Sequence, residues 1–127
     1  TKSFTGTPKL KPGNFTVEHM LIVTVFQKKI DSLFINMAGL RVHSDITIND
    51  HNNVPWFIYD IYSNGEWKEI MVDFIGMRLP SLKEPTPIQS DWVFTEEMRS
   101  ADSLRIRFHN THGKTTLGSL RYDLIKK

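Results

Sequence analysis

The 127-residue sequence contains no cysteine, which excludes disulfides, thiol nucleophiles and Cys-ligated zinc. It also lacks a long apolar run: the most apolar window, Met20 to Phe26, falls far short of the roughly 20 residues that a transmembrane helix needs. Neither sign of charge dominates, since 16 basic and 14 acidic residues leave a net +2, so charge alone points to no nucleic-acid partner. Internal repeats, heptads and low-complexity tracts are missing. So are a Ser-His-Asp order, a phosphate-cradling glycine loop and a strong metal-ligand spacing, which argues against an enzyme. The chain opens on Thr1 without a leader-like segment, the pattern expected of a processed form or a domain cut from something longer. The lack of cysteine fits a cytosolic and a bacterial extracytoplasmic setting alike, with an extracytoplasmic or secreted one slightly favoured.

What is present is the composition of one globular domain, 39% hydrophobic and 24% charged, long enough to bury a core without a structural metal. Eight Phe, three Trp and three Tyr favour sheet over helical bundle. The clearest signal is Trp56 to Phe74, where the β-rich runs WFIYDIY and EWKEIMVDF flank Ser63-Asn64-Gly65; Asn-Gly supplies the positive φ angles of a tight hairpin turn. Its first strand places Trp56, Ile58, Asp60 and Tyr62 on one face and Phe57, Tyr59 and Ile61 on the other. Trp56 and Ile58 are expected to face inward, with Tyr59 or Trp67 on an exposed recognition surface.

Residues 1–13 mix Thr, Lys, Pro and Gly and read as an irregular N-terminal arm, leaving 14–127 as a single domain. Asn14-Phe15-Thr16 fits a glycosylation acceptor, a motif short enough to arise by chance. Alternation predicts a strand over 15–26, a turn at Lys28 to Asp31, and another strand through Leu33, Ile35 and Met37 that Gly39 bends. That strand continues to Ile48, before the polar loop Asn49 to Asn53. Pro80, Pro85 and Pro87 mark 76–87 as the longest irregular connection. Trp92-Val93-Phe94 is a short strand, and Thr95 to Met98 one capped helical turn. Ser103 to His109 alternates cleanly, Leu104, Ile106 and Phe108 inward, and Leu117 to Ile125 forms the last strand.

About eight short strands with at most one or two helical turns predict an all-β antiparallel two-sheet sandwich of jelly-roll type, with a small closed barrel as the rival. The ending, ADSLRIRFHN followed by GSLRYDLI, resembles the last strand pair of carbohydrate-binding β-sandwich modules. That likeness covers about a quarter of the chain and includes no diagnostic motif.

Several constellations could carry chemistry. Asp60 with Glu66-Trp67-Lys68 invites comparison with metal-dependent nucleases, but Asp60 and Lys68 lying opposite each other would also make a plain cross-strand ion pair. His109 and His112 stand three apart, and Asp45, Asn49 and Asp50 offer the hard oxygen donors that calcium prefers, without EF-hand spacing. Arg105, Arg107, His109, Lys114 and Arg121 could gather on a hairpin of the last two strands, yet without stacking aromatics nucleic acid is not the expected partner. Sugars ask for flat rings beside planar polar groups. Tyr59, Tyr62, Trp67 and Trp92 with Asp60, Glu66 and Arg78 form that candidate ligand site, Trp56, Asn64 and Asn110 being further contributors. The expected function is non-catalytic recognition of a glycan or cell-surface polymer by an accessory domain of a larger protein. The alternative is a structural or protein-interaction domain that pairs through a sheet edge.

Overall fold

Asn64 and Gly65 both hold positive φ, 55° and 82°, and the whole chain folds about that turn. The structure, a computed structural model, describes residues 2–3, 13–79 and 83–127. Its elements run β1 (Lys2–Ser3), β2 (Gly13–Glu18), β3 (Ile22–Lys29), α1 (Ser32–Ile35), β4 (Met37–Ile48), β5 (Trp56–Ser63) and β6 (Glu66–Asp73). A 3₁₀ turn (Ile75–Arg78), β7 (Thr86–Val93), α2 (Glu96–Arg99), β8 (Ser103–His109) and β9 (Lys114–Lys126) follow. One sheet has the order β1-β9-β4-β7 with β2 also on β9, and the other β3-β8-β5-β6.

The antiparallel pairs β5·β6, β4·β7, β3·β8 and β2·β9 are nested about Asn64-Gly65. The chain is thus one long hairpin, rolled so that β4 also meets β9 and β5 also meets β8. That is the jelly roll predicted from the strand spacing.

Period-two alternation supplies the inner layer. Phe57, Tyr59 and Ile61 on β5 and Ile106 and Phe108 on β8 are all 0% exposed, facing Leu40 and Ile46 of β4, also at 0%, and Trp92 of β7 at 1%. Rings interlock across the sheets, Tyr59 on Trp92 at 4.9 Å and Phe26 on Tyr122 at 4.8 Å. Their polar tips are satisfied: Tyr122 donates to the Val25 carbonyl at 2.8 Å, and the Tyr59 hydroxyl bonds Ser90.

Four expectations change. The strand predicted over 15–26 is broken at His19, whose φ is 60°, and its halves β2 and β3 lie in different sheets. Residues 32–35 form α1, because Asp31 Oδ1 accepts from the amides of Leu33 and Phe34 at 3.0 and 3.2 Å, capping a turn that buries Phe34. β7 begins inside the proline-rich connection and includes Pro87, tolerated because β7 pairs on one side only, with β4. The last two strands, β8 and β9, belong to opposite sheets. Lys2 and Ser3 of the N-terminal arm pair with Leu124 and Asp123; its residues 4–12, and residues 80–82 of the connection, lie outside the described residues.

Gly39 does mark a register slip against β9, and a side chain there would put its Cβ 2.5 Å from the Trp92 carbonyl oxygen. The capped turn expected at Thr95 is α2, with Thr95 as its N-cap residue.

Candidate functional site

The pole of the sandwich where β2–β3, β4–β5 and β8–β9 turn is held by a buried polar cluster. Asn53 Nδ2 donates to Asn110 Oδ1 at 2.8 Å and Thr115 Oγ1 at 2.7 Å, and Asn110 Nδ2 donates to the carbonyls of His19 and Gly113 at 2.7 and 2.8 Å. Asn53, Asn110 and Thr115 are all at most 2% exposed. Such a cluster is costly unless every group is paired, and here it fixes three loops in one arrangement. Asn110 therefore serves structure and has no surface to offer a sugar.

On this base lies an apolar strip. Ile22, His109 and Trp56 are successive cross-strand partners on the outer face of the β3-β8-β5-β6 sheet. The Trp56 ring packs on His109 at 4.2 Å and on Phe74 at 5.6 Å. Beyond Phe74 the strip continues into a hollow of about 260 Å³ lined by Val54, Trp56, Phe74, Gly76 and Met77. Its members stand well clear of the core: Ile22 is 45% exposed, Val54 51%, Phe74 58% and Met77 87%.

The chain holds them out by anchoring what lies between. Ile75 is fully buried, and Gly76 donates its amide to the Pro55 carbonyl at 2.9 Å. A side chain at Gly76 would meet the Val54 backbone at 2.7 Å. Burial, and then the charge of Arg107, push the His109 imidazole below its ordinary value of 6.5, so the strip is uncharged at its centre near neutrality.

Next along the same face is a charged network. Asp60, 0% exposed, accepts from Arg105 Nε at 2.8 Å and from Arg107 Nε and Nη2 at 2.6 and 3.1 Å. Arg105 in turn lies 4.1 Å from the Trp67 ring centroid, and Tyr62 meets Trp67 edge-on at 5.2 Å.

The structure sorts the sequence candidates. Tyr59 and Trp92 are core residues, at 0% and 1% exposure, and Trp56 with Ile58 takes the outer face instead. Tyr62 and Trp67 are cross-strand partners on the hairpin face, both half-buried, while Glu66, opposite Ser63, is exposed on the other face. Asp60 is on the hairpin face too, but covered by its two arginines. Arg78 is turned toward Asp73 and the Gln89 carbonyl, at 3.1 and 3.2 Å.

Asp60 is opposite Glu69, not Lys68, as a two-residue turn requires once Ser63 pairs with Glu66. Lys68 reaches Glu97 at 2.6 Å, so the nuclease-like grouping does not assemble. Asp45 is on β4, in register with Pro87 and Gly118. Asn49 Oδ1 accepts from the Lys114 amide at 2.7 Å, and Asp50 Oδ1 from the Asn52 amide at 2.8 Å. Among the described residues no three His, Asp or Glu side chains stand close enough to hold a metal ion, and no helix is long and apolar enough to cross a membrane.

Val54 and Met77 carry no periodic signal, and Phe74 reads only as the end of the second hairpin run. The one legible hint was an apolar tetrapeptide, Phe74-Ile75-Gly76-Met77, opening a proline-rich connection.

No known family pattern and no curated protein matches the sequence. Among solved structures the fold is similar to that of the infectious bursal disease virus VP2 subviral particle, at 12% identity and a TM-score of 0.59, over 93% of this chain and 31% of that one. The Gx strain of the same virus gives 11% identity and 0.59 over 93% and 31%. The chain spans about a third of the length of these neighbours, and at such identity the likeness establishes the fold alone. A carbohydrate-binding module of Caldicellulosiruptor saccharolyticus in complex with mannohexaose, at 15% identity over 93% of this chain and 69% of that one, reaches a TM-score of only 0.41 and carries no argument.

Proposed function

We propose that this chain is a non-catalytic recognition module that meets another protein surface through the apolar strip, as an accessory domain of a larger, extracytoplasmic protein. The carrying observation is the exposure of Ile22, Val54, Phe74 and Met77 along the row that runs through His109 and Trp56. Contiguous exposed apolar surface of this kind marks interaction sites, and aromatic and Met side chains are enriched there. A nearly balanced charge of +2 sets up little repulsion between copies, so a second copy is the occupant to test first.

Sedimentation velocity over a concentration series should show reversible self-association that Phe74→Asp and Met77→Asp each abolish. Met77 is 87% exposed, so its change should alter stability by no more than about 0.5 kcal/mol, while Phe74→Asp also loses the Trp56 ring contact, about 0.5–1.5 kcal/mol. A chain that stays monomeric up to about 1 mM, the weak limit of useful affinity, would defeat self-association through this strip.

A second reading, glycan binding, is supported by Trp67 and Tyr62 standing on the hairpin face beside the exposed carboxylate of Glu69. It predicts that Trp67→Ala removes oligosaccharide binding while leaving self-association intact.

A further inference from the structure

The outer face of the other sheet carries a different chemistry. Reading across β9, β4 and β7, Arg121, His43 and Gln89 are cross-strand partners in one row, and Gly118, Asp45 and Pro87 in the next. All of these but Gly118 line, with Ser44 and Ile88, a hollow of about 220 Å³. A register slip between His43 and Asp45, with Ser119 at a φ of 48°, opens the rows apart. Gly118 lets β9 lie close against β4, since a Cβ there would come within 3.0 Å of the Asp45 carbonyl oxygen.

Most charged groups on this face are already matched. Arg41 grips Asp91 at 2.7 and 3.0 Å, and His43 Nε2 lies 2.9 Å from Asp123 Oδ2. Arg121 is different: among the described residues its one hydrogen bond is to the Ser119 carbonyl at 3.2 Å. The Asp45 carboxylate and the Gln89 amide likewise have no side-chain partner there. One hollow therefore holds a guanidinium and a carboxylate without a paired counter-charge and a free amide around the pyrrolidine ring of Pro87.

A guanidinium fork selects a planar carboxylate, while a carboxylate and an amide accept from and donate to hydroxyls. Asp45, with Asp91 and Asp123 nearby, opposes a polyphosphate backbone, and Arg121 opposes a bare metal cation. We propose that this hollow binds a sugar that carries a carboxylate, Arg121 taking the carboxylate and Asp45 and Gln89 the hydroxyls. The site is separate from both the strip and the hairpin face.

The test is titration of the full chain with D-glucuronate, D-glucose and acetate, followed by amide and side-chain NMR shifts. Glucuronate should move the Arg121 side-chain NH and the His43 ring, and Arg121→Gln should weaken it at least about tenfold, the scale of a charge-assisted hydrogen bond. Asp45→Asn should weaken it less, and Trp67→Ala not at all. Glucose binding as tightly as glucuronate would overturn the proposal, as would unchanged binding by Arg121→Gln. Acetate binding as tightly would reduce the site to an adventitious anion contact. Loss with Trp67→Ala but not with Arg121→Gln would place the sugar on the hairpin and refute this site while leaving the glycan reading standing.

Discussion

Truncating Asp60 to Ala should be the most damaging single change on the outer face of the hairpin sheet. The carboxylate is 0% exposed and takes three hydrogen bonds from Arg105 and Arg107, whose side chains are 19% and 24% exposed. Removing one member of a buried ionic group strands its partners and typically costs 3–5 kcal/mol. Because both arginines keep some contact with water, the lower end, about 3 kcal/mol, is expected. For a domain of this size that corresponds to a Tm lower by roughly 10 °C.

Urea unfolding followed by tryptophan fluorescence measures this, and Trp67 reports the release of Arg105 from its ring. In an Arg105→Gln/Arg107→Gln background Asp60→Ala should cost much less, since nothing is left to strand. Lys68→Ala gives the contrast: its bond to Glu97 joins side chains 58% and 54% exposed, and its loss should fall within about 1 kcal/mol. If Asp60→Ala costs under about 1 kcal/mol as well, the triad is solvated and the reasoning from its burial fails.

Three further outcomes are expected. The His109 imidazole is held below 6.5 by burial and Arg107, so the unfolded chain takes up that proton first; the contribution is complete above pH 6.5 and lost as pH falls below it, and His109→Gln should flatten that part of a stability profile. Gly39→Ala places a Cβ 2.5 Å from the Trp92 carbonyl oxygen, so β4 and β7 must part at a cost of about 1–3 kcal/mol by chemical denaturation. Millimolar calcium should leave the Tm unchanged, because Asn49 and Asp50 use side-chain oxygens on backbone amides and Asp45 stands apart on β4; a concentration-dependent rise would show that the loop coordinates the ion.

Local chemistry explains which parts of the fold were legible. Asn64-Gly65 names its own turn, and β8 alternates without a break, so both follow from a few adjacent residues. The break at His19 does not: its φ of 60° is held by a carbonyl that accepts from Asn110, 91 residues away. A single turn such as α1 is too short to establish a period, and Leu33 and Ile35, 37% and 41% exposed, imitate a strand.

The site was half legible for a related reason. Alternation divides Trp56 to Tyr62 into two faces without saying which one meets the other sheet. Tyr59 was therefore expected outside, where its ring would bind, and Trp56 inside. The two-residue turn did contain the register that sets Asp60 against Glu69, but only β8, some 45 residues on, shows why Asp60 is buried: its arginines arrive from there.

The edges decide between the two ways such a domain can associate. An exposed strand edge invites pairing, and proteins blunt it with charge, bulges or proline. On β6, Glu66, Lys68 and Glu69 are exposed, and the register slips opposite Tyr59 and Asp60. On β3 the register slips between Thr24 and Phe26, and Lys28 and Lys29 close the strand. On β7, Pro87 lacks the donor that a new neighbour would need. These three edges, and β2, whose register slips between Gly13 and Phe15, thus each carry a device against strand addition, which favours a face over the edges for the protein-interaction reading. The strip around Trp56 is an apolar, exposed part of a face, and it rests on the Asn53-Asn110-Thr115 cluster, which keeps three loops ordered before any partner arrives. Disrupting that support with Asn53→Ala should therefore weaken association even though Asn53, 2% exposed, cannot touch the partner. Association unchanged in a variant that is still folded would show that the strip needs no such base.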